Sequence, residues 1–190
     1  MSEQDRLRWN EKYAAQAGLS APSELLLTLG DVLPAHGRAL DVAGGSGRNA
    51  LWLAARGLDV TLTDISDEAL RRADSEAKAR GLSLKTLPFD VDVQPLPQGP
   101  WDLVCCFYFL HRPLFTHVAS VLAPGGLFVF AHPTLQNLTR NPKPSRHHLL
   151  DEGEAHALLC AQPDLELLRF TEGWTPDGHH EARAVARRMA

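Results

Sequence analysis

One stretch of the chain, RALDVAGGSGRNALWLAARG at residues 38–57, constrains the fold more than any other. An apolar run with strand character leads into Asp41, three glycines follow within four positions (Gly44, Gly45 and Gly47), and a run with helical character begins at Arg48. Glycine adopts backbone conformations closed to other residues and puts no side chain in front of the helix that follows, so a ligand can come close to the main chain there. Strand, tight turn and helix in this order open a βαβ unit.

The rest of the chain continues the alternation. Short apolar runs at 58–63, 82–89, 101–109 and 126–131 read as strands, and 48–56, 66–80 and 112–122 read as helices. The 66–80 segment has the polarity of a helix: Ser66 is placed to cap it, Asp67 and Glu68 fall in its first turn, and Lys78 and Arg80 in its last. Gly57 and Gly81 stand where left-handed helix stops are needed, Pro113 suits a first helical turn, and APGG at 123–126 turns the chain into the next strand. Near the C-terminus, DLELLRF (164–170) reads as a strand. HEARAVARR (180–188) has helix-favouring alanine and arginine but an alternating pattern, which suits the second strand of an antiparallel hairpin. The expected fold is α/β: a Rossmann-like three-layer α/β/α sandwich with a mostly parallel seven-stranded sheet and an antiparallel C-terminal hairpin strand. At 190 residues the chain suits one domain.

Composition narrows the function classes. A net charge of −4 gives no basic footprint, so nucleic acid is not an expected partner. The longest apolar run, 103–110, is far short of the roughly 20 residues a membrane-spanning helix needs. The first residues, MSEQDRLRWNEKYAA, are too polar for a secretory signal. The three cysteines, two of them adjacent at Cys105 and Cys106, form neither a disulfide framework nor a zinc pattern, which fits reduced thiols in a cytoplasmic protein. No metal is assigned, and nothing in the sequence fixes the oligomeric state.

The glycine turn has three readings. A phosphate-binding P-loop requires Lys-Ser or Lys-Thr after the glycines, and neither is present. A dinucleotide fingerprint fits better, because Gly45-x-Gly47-x-x-Ala50 satisfies its spacing and Asp64 lies where a ribose-binding acid belongs. Asp41 separates this reading from the third. A carboxylate at the mouth of the first strand repels a pyrophosphate and attracts a cation. S-adenosylmethionine carries an ammonium and a sulfonium, has no phosphate, and still presents a ribose to Asp64. A helix-capping role is the structural alternative for Asp41.

The run LDVAGGSGRNALWLAARGLDVTLTDIS resembles the first two motifs of class I S-adenosylmethionine-dependent methyltransferases, with Ala43 in place of the first motif glycine. FDVDVQPLPQGPWDLV, FLHRPLF and LAPGGLFVF extend the resemblance over about residues 38–131. GRNALWLA, HRPLF and HLLDEGEAHALL are similar to the tellurite-resistance and thiopurine methyltransferase subgroup. The resemblance implies an N-terminal helical cap (1–33), a cofactor-binding core (38–131), and an acceptor-side loop with the C-terminal hairpin (132–190). It implies that Ala43, Gly44, Gly45 and Gly47 pack under the methionine part of the cofactor, with Asp41 near its ammonium. Asp64 then takes the ribose hydroxyls and Ile65 packs on the adenine. Asp90 takes the adenine amino group, with Asp92 as its rival, and the Val91 N–H meets a ring nitrogen. Phe107 lines the methyl side, or is plain core. Trp9 and Tyr13, one helical turn apart, fold an N-terminal helix over the cofactor or form an ordinary packing stripe.

The implied activity is methyl transfer to a small-molecule acceptor, a metalloid oxyanion or a thiol among the candidates, by in-line displacement. Crevices in such sheets open beyond the strand ends, which draws attention to His111 and Arg112 after the fourth strand and His132 after the fifth. Arg112 suits an anionic acceptor or, preceding Pro113, a loop-stabilising role, and either histidine suits orientation or proton removal or a structural place. Arg48 is a further cation for the cofactor carboxylate or the acceptor. TLQNLTRNPKPSRHHLL (134–150) is basic and of lid-like length, and His179-His180 reads as a turn. An NAD-dependent oxidoreductase and a non-catalytic S-adenosylmethionine-binding regulator are the alternatives.

Overall fold

The computed structural model describes residues 2–190. Its elements, in chain order, are α1 (Glu3–Ala14), α2 (Glu24–Thr28), β1 (Arg38–Val42), α3 (Arg48–Ala55), β2 (Asp59–Asp64), α4 (Asp67–Ala79), β3 (Lys85–Pro88), β4 (Trp101–Phe107), α5 (Pro113–Val121), β5 (Leu122–Pro133), α6 (Glu154–Cys160), β6 (Leu165–Trp174) and β7 (His180–Arg188). Seven strands form one sheet in the order β3-β2-β1-β4-β5-β7-β6. The first five are parallel, while β7 runs antiparallel between β5 and β6. This is the three-layer sandwich expected, with the hairpin at the sheet edge.

Alternation along the strands sends side chains to two cores. Phe128 and Phe130 of β5 face α5 and α6 with Phe115 and Leu159, whereas Val129 and Ala131 join Leu26, Leu53 and Leu70 on the other face. The T-shaped contacts of Phe115 with Phe128 and Phe130 fill the first core with little polar surface. In β7, Ala182, Ala184 and Ala186 point into the first core and Val185 into the second. The period-two pattern therefore overrides the helix propensity of alanine and arginine.

The local signals resolve as physical caps. Ser66 accepts the Ala69 N–H at the start of α4, Gly57 and Gly81 are left-handed, and Pro113 opens α5. Boundaries differ where packing decides. The third strand shrinks to Lys85–Pro88, and the fifth starts at Leu122, so APGG lies within β5 as an irregularity where its register with β4 shifts. His180 opens β7, leaving only His179 in the hairpin turn.

The 134–150 segment is pinned to the rest of the fold. Thr134 bridges Leu150, the Asn137 amide reaches Lys143 O, and Asn137 Oδ1 accepts the His180 N–H. Two short 3-10 helices, Leu135–Thr139 and Arg146–His148, take up its length. No helix among the described residues is long and apolar enough to cross a membrane.

Candidate functional site

The sheet order places β1 beside β4, with connections leaving in opposite directions, and a crevice opens beyond the C-terminal ends of such strands. Here it holds a cavity of about 330 Å³, floored by the glycine turn and walled by residues following β2, β3 and β4. The turn is left-handed at Ala43 (φ 52°), Gly45 (φ 61°) and Gly47 (φ 81°), and Gly47 caps α3. Ala43 thus holds, at some strain, a conformation glycine adopts freely.

Two buried carboxylates organise the turn. Asp64 Oδ2 accepts the Gly45 N–H at 2.8 Å and its Oδ1 accepts the Ser66 N–H at 2.8 Å, so Asp64 braces the turn while lining the cavity. Burial raises its pKa, and these backbone N–H groups oppose the rise. Asp41 lies beneath. It is fully buried, and neither of its carboxylate oxygens meets a donor at hydrogen-bonding distance. A side chain at Gly44 would strike Asp41 and the Leu62 methyl, so only glycine lets the turn cross this carboxylate. Burial pushes the Asp41 pKa up to about 7, with the Arg48 charge and the Ala50 backbone N–H, which faces Asp41 from the first turn of α3, opposing. A carboxyl buried in this way is costly to ionise, and a cation over the turn would relieve that cost.

Of the residues singled out from the sequence, Ala43, Gly44, Gly45, Asp64, Ile65, Val91 and Phe107 line the cavity together. Asp41 and Gly47 shape its floor from behind. Asp90 lies in an adjoining hollow that shares Ile65 and Phe89, and its Oδ1 accepts the Asp92 N–H at 3.0 Å. Asp92 faces away to His111, whose Nδ1 stands 3.0 Å from its Oδ1, so of the two acids Asp90 is the one beside the cavity. Trp9 and Tyr13 stack on each other at 5.8 Å and line the opposite wall from α1, with the Tyr13 hydroxyl against Gly45.

The three residues expected to meet an acceptor do not line this cavity. His111 is occupied by Asp92. Arg112 forms a two-point ion pair with Glu154, its Nη2 lying 2.9 Å from Oε2, which ties α6 to the start of α5 and lowers the Glu154 pKa. His132 is buried beside Phe130, its Nε2 is 2.8 Å from His148 O, and burial pushes its pKa down to about 4. These contacts hold loops together. No part of 134–150 lines the cavity.

The structure adds residues that sequence reasoning left out. Tyr108 lines the cavity with a left-handed backbone (φ 59°), held by its N–H to Ala131 O at 2.9 Å. Lys12 lines it too, its ammonium 4.1 Å from the Trp9 ring centroid. Lys12 follows Trp9 by one helical turn, a spacing that was legible; the strained Tyr108 carries no local signal.

Residues 39–126 match a family described as a methyltransferase domain. The chain is 33% identical over 147 residues to a ubiquinone biosynthesis O-methyltransferase of Psychrobacter cryohalolentis, covering 73% of this chain and 54% of that protein. It is 33% identical over 122 residues to a tRNA 5-carboxymethoxyuridine methyltransferase of Escherichia coli, covering 57% of this chain and 46% of that one. The chain thus spans about half the length of these relatives. The crystal structure of TehB from Haemophilus influenzae shares the fold, with a TM-score of 0.71 and 18% identity over 96% of this chain and 66% of that one.

Proposed function

From the methyltransferase domain carried by residues 39–126, we propose that this chain is a cytoplasmic class I S-adenosylmethionine-dependent methyltransferase acting on a small molecule. The observation that carries the reading is Asp41: a fully buried carboxylate directly under a glycine turn, with only the Ala50 backbone N–H turned toward it, suits a cation and repels a diphosphate. The residues present fit the cofactor. The turn from Ala43 to Gly45 takes the methionine part, with Asp41 supplying the charge beneath its ammonium. Asp64 has lone pairs left for the ribose hydroxyls, and Ile65, Phe89 and Val91 offer an apolar slot for the adenine, with Asp90 beside it.

When bound, the cofactor supplies an activated methyl group on a sulfonium. The chain's own task is alignment and exclusion of water. Trp9 and Tyr13 cover one wall, Phe107 and Tyr108 the other, and Asp64 locks the turn through the Gly45 N–H. Metalloid oxyanions and thiols are acceptors of the kind that the resemblance to the tellurite-resistance and thiopurine subgroup suggests. A net charge of −4 gives no basic footprint for RNA, which supports a small acceptor.

Calorimetry with S-adenosylmethionine and, separately, with NAD tests the cofactor. Binding of the methyl donor alone is expected, and it should release protons near neutral pH as Asp41 ionises. Tight NAD binding without a response to the methyl donor would sink the proposal in favour of an oxidoreductase. An acceptor panel of selenium and tellurium oxyanions, thiols and small RNAs, read by S-adenosylhomocysteine release, then separates an enzyme from a cofactor-binding regulator.

A further inference from the structure

The cavity wall contains two cations, Lys12 and Arg48, yet none of the residues lining it is a histidine, cysteine or glutamate. Its one acid, Asp64, already holds a backbone N–H on each oxygen. Burial holds the lining tyrosines protonated, and Lys12, the one remaining group that could take a proton from a neutral hydroxyl acceptor, rests its nitrogen on the Trp9 ring. An acceptor that arrives ionised needs no such group, but it does need a counter-charge.

Arg48 is placed to give one. It forms no ion pair among the described residues, and its one hydrogen bond, to Ala21 O, is long at 3.3 Å. Its guanidinium lies 5.1 Å from the Tyr108 ring centroid. Tyr108 in turn is fixed from behind. Its hydroxyl faces the buried Glu181, which raises its pKa together with burial, and Glu181 is itself ion-paired to Arg183 at 3.1 Å. The strained backbone of Tyr108 and this network hold a ring in the cavity wall between Phe107 and Phe109, which also line it. The Arg48 charge also acts on Asp41 beneath the turn, and a cofactor ammonium over that carboxylate would leave the guanidinium beside the Tyr108 ring as the cation open to an anionic acceptor.

We propose that Arg48 and Tyr108 form the acceptor subsite and that it takes an aromatic hydroxyl compound as its anion, an aryl oxide stacked on the 107–109 wall with its oxygen toward Arg48. This rests on the methyltransferase reading above. The acceptor's proton goes to solvent before binding, so no residue of the chain has to remove it.

The test uses 4-nitrophenol, whose ionised form is coloured, titrated with the full chain in the presence and absence of S-adenosylhomocysteine. With S-adenosylhomocysteine bound, the ionisation midpoint of the probe should fall by about one pH unit, a tenfold preference for the anion. Arg48→Gln should return the midpoint to that of the free probe, Arg48→Lys should keep most of the shift, and Tyr108→Ala should weaken binding about tenfold. Circular dichroism checks that each variant is folded. Absence of probe binding at millimolar concentration, an unshifted or raised midpoint, or a shift untouched by Arg48→Gln would each overturn the subsite. Calorimetry of S-adenosylhomocysteine on the same samples keeps the two readings apart. Cofactor-product binding without the probe removes the subsite alone, and probe binding without the product removes the cofactor reading alone.

Discussion

At the level of single residues, the site depends on two acids whose environments assign them different work. Asp64 is hydrogen-bonded and reaches the cavity, so Asp64→Ala should remove both a ribose contact and the brace on Gly45. Loss of charge-assisted hydrogen bonds predicts at least about 1.5 kcal/mol weaker cofactor binding by calorimetry, and unchanged affinity in a folded variant would place the ribose elsewhere. Neighbouring positions in the turn respond in opposite ways. Gly44→Ala drives a methyl group into Asp41 and Leu62 and should cost about 1–3 kcal/mol in urea denaturation. Ala43→Gly relieves a left-handed alanine while freeing the unfolded chain, and should change stability by less than about 1 kcal/mol.

Among the elements, α1 lends Trp9, Lys12 and Tyr13 to the cavity wall and is held there by its polar side chains. Asn10 Oδ1 accepts from the Ser66 hydroxyl at 2.7 Å and from the Glu68 N–H at 3.2 Å, so α1 docks on the N-terminal turn of α4, helped by the Arg6–Asp67 ion pair. Asn10→Ala should cost about 1 kcal/mol and loosen α1 first. Hydrogen exchange would then quicken across Glu3–Ala14 while the α4 interior stays protected; equal loss in both would mean that the two helices unfold as one. Elements built from local signals were legible in the sequence: the β1 turn, the Ser66 cap, the stops at Gly57 and Gly81, and the gathering of Ala43, Gly44, Gly45, Asp64, Ile65, Val91 and Phe107 around one cavity. What was not legible depends on contacts between distant residues. Arg112 finds Glu154 forty-two residues on, and β7 enters the sheet beside β5 to bring Glu181 behind Tyr108. Position after a strand made His111, Arg112 and His132 look exposed to ligand, and only packing shows which side chains are already engaged.

Across the whole molecule, stability against pH is set by buried groups pulling in opposite directions. Asp41 has a raised pKa, so its favourable neutral form is fully retained below 3.8 and is lost as pH climbs toward about 7. His132 has a lowered pKa, so its contribution is present above 6.5 and is lost as pH falls toward about 4. Over the shared window the slopes of these two groups oppose each other, and Asp64, whose pKa burial also raises, adds to the Asp41 side. Asp41→Asn should tilt the denaturation profile toward stability that rises with pH across that window, and His132→Gln toward stability that falls. An unchanged profile in both variants would show that neither group titrates as described. The contact between the Tyr13 phenol and Gly45 sets an expectation for turnover under the proposed function: a product resting on the glycine turn would share its place with a ring carried by the N-terminal helix. Truncating that ring should speed the exit step even as it weakens the hold on what remains.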